Sequence, residues 1–235
     1  MDFFELINKR RSVRKFKDTK VPESVMRKCL KASVLAANSS NLQPWEFYWV
    51  RDPKKKETVV KACFSQNAAK GAKELVIAVS KIDTWKRNRD LIIEEHKKKN
   101  RFIPLVDKYY NKLIPFAYYH DFLGISGLIK RFIFLFVNIY GYFKPVIRGP
   151  IYKHELFETV SKTTALACQN FMMAIVAEGF DSCPMEGFDE KRIKKMLKLN
   201  WQSHVVMIFG IGEAASNGVY SERFRVDDSL VIKEI

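Results

Sequence analysis

Arginine side chains near both ends of the chain have the chemistry of an anion site. The segment KRRSVRKF (9–16) places a serine among three arginines: Arg10, Arg11, Ser12 and Arg14. Near the C-terminus, Arg223 and Arg225 would point the same way on an extended strand. Guanidinium groups and a hydroxyl match the oxygens of a phosphate monoester. The two clusters predict a phosphate site if the fold brings the chain ends together, whereas each cluster alone is more typical of a basic surface.

Other residue types that carry chemistry lack the spacing that their chemistry needs. Four histidines show no metal-ligand spacing, and four cysteines show no metal, redox or disulfide pattern. The segment GIGEAA (210–215) fits G-x-G-x-x-A, but too few residues follow it, and Asn217-Gly218 would break the helix that a dinucleotide site requires. The sequence predicts no metal and no catalytic side chain, so in an enzyme a cofactor would carry the chemistry.

The composition is that of one globular domain with a strong positive charge. The 235 residues are 47% hydrophobic, and 41 lysines and arginines against 26 acidic residues give a net charge of +15. This charge favours phosphates, nucleic acid or a membrane surface without choosing among them. The N-terminal segment lacks the pattern of a signal peptide, and the scattered cysteines are typical of reduced thiols. We expect a cytoplasmic protein for which nucleic acid is not the partner.

Hydrophobic periodicity predicts helices and strands spread along the chain, an α+β class. The predicted helices cover 2–10, 22–38, 53–64, 85–100, 154–180 and a segment from Asp189 onward, and the predicted strands cover 45–52, 74–80 and 203–214. Asp2 is the predicted N-cap of the first helix, and Gly179 is the predicted stop of the long helix. That helix has no charge between Lys162 and Glu178, so we expect it to be buried nearly all round. An apolar turn is predicted from residue 181, and an extended tail from residue 221.

The segment from about residue 84 to 150 differs from the rest of the chain. It contains the most hydrophobic stretch, 122–143, which Lys130 and Arg131 divide into two apolar pieces. Each piece is shorter than the roughly 20 residues that a bilayer span needs. We expect an inserted helical lid or subunit contact within a single domain of residues 1–235. Membrane contact through 122–143, or an apolar substrate pocket, is the less favoured alternative.

Four blocks of the sequence, taken together and in order, resemble the FMN-dependent nitroreductase family. They are RRSVRKF (10–16), NSSNLQPW (38–45), PMEGFD (184–189) and the C-terminal RFR (223–225). The resemblance implies a three-layer α/β/α nitroreductase-like fold. Its central sheet would be mostly antiparallel and flanked by helices, with an enlarged helical insertion in this chain.

The resemblance also implies which residues bind FMN. In chain order they are Arg10, Arg11, Ser12, Arg14, Asn38, Ser39, Ser40, Asn41, Gln43, Asn67, Pro184, Met185, Glu186, Gly187, Arg223 and Arg225. The arginines and the first serine would hold the phosphate and the ribityl chain. The amides and hydroxyls of 38–43 would cross beside FMN, usually from the partner subunit. The turn 184–187 would lie on the other face of the ring, with the backbone N–H of Glu186 toward the flavin N5.

The activity implied by the resemblance needs no obligatory acid or base from the protein. NADPH or NADH would reduce FMN, which would then reduce a nitroaromatic, a quinone or a similar acceptor by a ping-pong mechanism. A homodimer with FMN at the subunit interface is also implied. The alternatives are a specialised member of the superfamily, such as a dehalogenase or a flavin-consuming enzyme, and a flavin-binding protein without turnover.

Overall fold

A four-stranded antiparallel sheet forms the centre of the computed structural model, which describes residues 2–99 and 103–235. The strands are β1 (Trp45–Trp49), β2 (Glu74–Lys81), β3 (Asp181–Met185) and β4 (Ser203–Gly212). Their order in the sheet is β1-β2-β4-β3. The predicted α+β class is confirmed. The predicted turn from residue 181 is wrong, because residues 181–185 pair with β4.

Helices lie on both faces of the sheet and in the insertion. They are α1 (Phe3–Lys9), α2 (Glu23–Ser33), α3 (Pro53–Ala62), α4 (Asn67–Lys70), α5 (Trp85–Lys98), α6 (Pro104–Lys108), α7 (Ile114–Tyr118), α8 (Ile125–Tyr140), α9 (Lys153–Ala177), α10 (Glu190–Leu197) and α11 (Asp228–Val231). As predicted, Asp2 caps α1, and Gly179 follows the end of α9 with a φ of 82°. Two predictions were wrong in part. The second helix, α2, ends at Ser33 rather than at residue 38, and the tail predicted to be extended contains the short helix α11.

The two faces of the sheet build two separate cores. Along β2, Leu75, Ile77 and Val79 pack with α3 and α10 on one face. Val76 and Ala78 pack with α2 and α9 on the other face. This alternation is the period of two that a strand imposes on its side chains. The sheet therefore lies between two helical layers, which confirms the predicted three-layer arrangement.

Apolar side chains are exposed on several helices, including α8 and α9. On α9, Leu166 is 51% exposed, so the prediction that this helix is buried nearly all round is wrong for the single chain. On α8, Phe132 and Phe136 are 66% and 59% exposed. No helix among the described residues is both long enough and apolar enough to cross a membrane.

A buried lysine fastens α8 to α7. Lys130 is 4% exposed, and its Nζ donates hydrogen bonds to the carbonyl oxygens of Ala117 at 3.0 Å and Tyr119 at 2.9 Å. The same nitrogen lies 3.2 Å from Nε2 of His120. Arg131, the next residue, is exposed. The two charges that divide the apolar stretch thus have different roles: Lys130 is hydrogen-bonded to the segment before α8, whereas Arg131 faces solvent.

Replacement of Lys130 by methionine should destabilise the fold. The substitution keeps a long side chain but removes the donor to the Ala117 and Tyr119 carbonyls, and an unsatisfied polar group costs about 1–3 kcal/mol. Urea denaturation measures the free energy of unfolding. Arg131→Met is the matched control, and it should change that free energy by less than about 0.5 kcal/mol. Equal losses in the two variants would contradict the anchoring role of Lys130.

Candidate functional site

The C-terminal arginines lie against the end of α1. Arg223 Nη2 donates to three carbonyl oxygens, at 3.3, 2.8 and 2.6 Å: those of Ile7, Asn8 and Arg10. Arg11 Nη2 donates in the opposite direction, to the carbonyl oxygen of Ser221 at 2.5 Å. The last carbonyls of a helix lack partners within the helix, so they are ready acceptors. The fold therefore brings the two arginine clusters together.

Positive charge is uncompensated where the clusters meet. Across residues 2–99 and 103–235, no ion pair involves any of the five arginines Arg10, Arg11, Arg14, Arg223 and Arg225. Burial lowers the pKa of Arg10, and the charges of Arg223, Arg225 and Arg11 lower it further. Such a concentration of guanidinium groups attracts an anion.

Backbone pairing holds the first cluster beside the edge strand β3. Ser12 forms a parallel bridge with Ser182, and the N–H of Val13 donates to the Ser182 carbonyl at 3.1 Å. The N–H of Arg14 donates to the carbonyl of Gly218 at 2.7 Å. The side-chain oxygen of Ser182 is buried, with no hydrogen-bond partner in the described part of the chain. Ser12 and Arg14 are thus positioned by the sheet edge and by the segment after β4.

Asn67, the first residue of α4, lies in the same region. Its Nδ2 donates to the hydroxyl of Tyr220 at 2.9 Å, and the guanidinium carbon of Arg14 lies 5.2 Å from the centre of the Tyr220 ring. That distance is typical of a cation–π contact. Sequence reasoning missed Tyr220, although an aromatic residue three positions before Arg223 was a usable signal.

The turn after β3 borders open space next to the arginines. Of the predicted site residues here, Pro184 and Met185 are the last two residues of β3, and Glu186 and Gly187 form the turn. A Cβ added at Gly187 would have no heavy atom within 4 Å, and the carbonyl of Gly187 accepts from Gln66 Nε2 at 3.2 Å. Burial raises the pKa of the neighbouring Cys183 thiol, and the charges of Arg14 and Arg10 oppose that rise. Gln66 was also missed, although it directly precedes Asn67.

The predicted loop residues form a tight turn before β1. They are Asn38, Ser39, Ser40, Asn41 and Gln43. Three of them, Ser40, Asn41 and Gln43, have positive φ angles of 57°, 50° and 46°, which are uncommon for residues other than glycine. Asn38 Oδ1 accepts from the N–H of Gln43 at 2.8 Å and closes the turn.

A π-helix at Tyr109–Leu113, between α6 and α7, holds this turn in place. The hydroxyl of Tyr109 lies 2.5 Å from Ser40 Oγ, and the hydroxyl of Tyr110 donates to the Ser40 carbonyl at 3.0 Å. From α5, Asn88 Nδ2 donates to the carbonyl of Leu42 at 2.7 Å. The insertion therefore shapes the loop, a contact that sequence reasoning missed because the two segments are far apart in the chain.

The loop and the arginines lie at opposite edges of the sheet. The loop leads directly into β1, and β1 and β3 are the two edge strands. Three steps of about 4.8 Å separate these strands, or about 14 Å in all. Among the described residues, no hydrogen bond joins 38–43 to the arginines. One chain therefore assembles the arginines, Asn67 and the turn 184–187, but it does not bring the loop to them.

Comparison with known proteins places most of the chain in one family. The nitroreductase family profile matches residues 7–213. Protein DrgA of Synechocystis is 25% identical over 200 residues, which cover 85% of this chain and 78% of DrgA. NADH dehydrogenase of Thermus thermophilus is 22% identical over 219 residues, which cover 93% of this chain and 90% of that protein.

A solved structure shows the same fold. The crystal structure of an Exiguobacterium sibiricum protein in complex with FMN superposes with a TM-score of 0.70 at 20% identity. The match covers 100% of this chain and 98% of that one. Because the family profile also spans most of the sequence, the chain belongs to the nitroreductase family and is a nitroreductase-like oxidoreductase.

Proposed function

We propose that the chain is an FMN-dependent enzyme that uses NADH or NADPH to reduce a nitroaromatic, a quinone or a similar small acceptor. The observation that carries this proposal is the uncompensated charge of five arginines where the chain ends meet. When bound, FMN would supply the redox chemistry, a hydride transfer from NAD(P)H to the acceptor in ping-pong order. Family membership and the FMN in the Exiguobacterium sibiricum structure support the assignment.

The side chains at the arginine site fit the phosphate of FMN. A phosphate monoester carries about −1.5 to −2 charges near neutral pH, and guanidinium groups match its oxygens. Arg10, Arg11, Arg14 and Arg225 would neutralise it, and Ser12 would contact the ribityl chain. Arg223 is already held by three backbone carbonyls, so little further ordering of this side chain is needed when the anion binds.

Groups beside the arginines fit the flavin ring. Asn67 would meet the pyrimidine edge, and the end of β3 with the turn after it (Pro184, Met185, Glu186 and Gly187) would line one face. The backbone N–H of Glu186 would lie toward N5, and the open space at Gly187 leaves room for a flat ring. Donors at the polar edge of the ring tune its electron affinity. The chain's own contribution is thus binding, orientation and electrostatics.

We infer that residues 38–43 complete the site of a second copy, since they lie at the opposite sheet edge from their own arginines. Apolar side chains on α1, after α2 and on α9 are exposed in the single chain: Phe3, Phe4, Leu35 and Leu166, at 63%, 73%, 81% and 51%. Exposed apolar surface of this kind favours burial in an interface. A two-fold homodimer would cover it and create two equivalent FMN sites.

The visible absorbance spectrum tests the cofactor and the reductant together. The purified protein should be yellow or become so with added FMN, because the arginine site retains the phosphate. Without oxygen, NADH or NADPH should bleach the absorbance, and a nitroaromatic or a quinone should restore it. A colourless protein that fails to bind added FMN would contradict the proposal. Bleaching that no acceptor reverses would favour a flavin-binding protein without turnover.

Arg10→Gln should weaken FMN binding by about 10- to 100-fold. A hydrogen bond to a charged group contributes about 1.5–3 kcal/mol, and each 1.4 kcal/mol changes Kd about tenfold. Titration of the FMN-free protein, followed by flavin fluorescence, measures the Kd. Arg192→Gln is the matched control: it removes the same charge from an arginine that pairs with Asp189 on α10. Equal weakening by both variants would show a general charge effect and no specific phosphate site.

A mixed dimer tests whether the loop serves the partner's site. The loop variant Asn41→Ala/Gln43→Ala and the Arg10→Gln variant should each retain little FMN when produced alone. In a dimer of the two chains, one site combines an intact loop with intact arginines, and the other site combines both lesions. About half of the normal FMN content should therefore return. No recovery in isolated mixed dimers would mean that each loop serves its own chain.

A further inference from the structure

A cavity of about 350 Å³ lies between the insertion and α9. Its walls come from the π-helix, α7, α8, the segment 147–150 and α9. The residues that make the wall apolar include Leu113, Ile114, Phe116, Ile133, Phe134 and Val137. The volume is near the lower end of the roughly 300–1,000 Å³ found for small-molecule sites. The cavity is thus large enough for one small, mostly apolar ligand.

Hydroxyl groups mark one end of the cavity. Ser39 and Ser40 line it together with Tyr109, whose hydroxyl is hydrogen-bonded to Ser40 Oγ. Hydroxyl donors at one end and hydrocarbon walls elsewhere suit a ligand with a carbonyl head and an apolar tail.

The polar end coincides with the loop that the proposed function places beside FMN. Ser39 and Ser40 belong to both, so a ligand that fills the cavity has its head next to that loop. The tail would then lie between α7 and α8, within the insertion. The cavity is therefore placed to select the acceptor without contributing to the phosphate site.

We propose that this cavity binds the alkyl chain of a quinone acceptor, with the quinone ring at the end formed by Ser39, Ser40 and Tyr109. This inference rests on the proposed function. The quinone takes up a hydride that originates from NAD(P)H and one proton from solvent, and it leaves as the hydroquinone, with NAD(P)⁺ as the other product. Each methylene that enters the cavity should improve affinity about three- to fourfold.

Steady-state kinetics of the FMN-loaded protein test the proposal with two quinones that differ only in their tail. We expect the KM for decyl-substituted benzoquinone to be at least tenfold lower than the KM for unsubstituted benzoquinone. Val137→Trp fills the cavity and should remove this difference while NAD(P)H still reduces unsubstituted benzoquinone. Ile147→Trp is a second filling variant at a residue that is 81% exposed, where a larger side chain is compatible with folding.

Leu135→Trp is the matched control. Leu135 lies on the same helix as Val137 and is 56% exposed, and it does not line the cavity. This variant should keep the tenfold preference. If it loses the preference as Val137→Trp does, or if the wild-type protein has equal KM values for the two quinones, the cavity is not the chain-binding site.

A binding measurement separates failure of this inference from failure of the proposed function. The neutral fluorescent probe N-phenyl-1-naphthylamine should bind the wild-type protein, be displaced by decyl-benzoquinone, and bind both filling variants at least tenfold more weakly. Displacement in a protein that shows no NAD(P)H oxidation would support the cavity and overturn the enzyme assignment. Turnover of quinones in a protein that neither binds the probe nor prefers the alkyl chain would support the enzyme assignment and overturn the role of the cavity.

Discussion

Repulsion among like charges is the constraint on which the arginine site depends. Five guanidinium groups collect where the two ends of the chain meet. Burial lowers the pKa of Arg10, and the charges of Arg223, Arg225 and Arg11 lower it further. The fold holds them with backbone carbonyl oxygens instead of carboxylates. Arg223 binds the unpaired acceptors at the end of α1, and Arg11 binds the Ser221 carbonyl. Carbonyl groups fix the side chains without cancelling their charge, so that charge stays available to an anion.

The sheet decides which parts of the site one chain can assemble. The central strands β2 and β4 are covered on both faces, so the ligand-facing segments flank the edge strands β1 and β3. The edge position also explains how β3 accommodates Pro184, since a proline cannot donate to a second neighbouring strand. Each edge carries one part of the proposed FMN site. The two parts are therefore complementary between copies in the proposed homodimer.

Much of the fold was predictable from local signals, whereas the assembly of the site was not. Asp2 is a local start signal and Gly179 a local stop signal, and the strands β2 and β4 are continuous apolar runs, so both kinds of element were predicted correctly. Strand β3 was missed because five residues that include a proline do not show strand periodicity. The separation of loop and arginines follows from strand order, and the role of Tyr220 follows from a contact with Asn67 across the fold. Neither has a signature in local sequence.

The π-helix has a consequence for how this site can change during evolution. In an α-helix, adjacent residues point about 100° apart, yet here the side chains of Tyr109 and Tyr110 both reach Ser40. Such bulges interrupt the regular register of a helix and recur at functional positions. Loss of a single codon in this segment would rotate one tyrosine away from the loop while leaving the sheet and the arginines untouched. One small deletion in the insertion can thus reshape the loop, although the two segments are far apart in the gene. The shape of the loop can therefore differ between related enzymes that share the same sheet and arginine site.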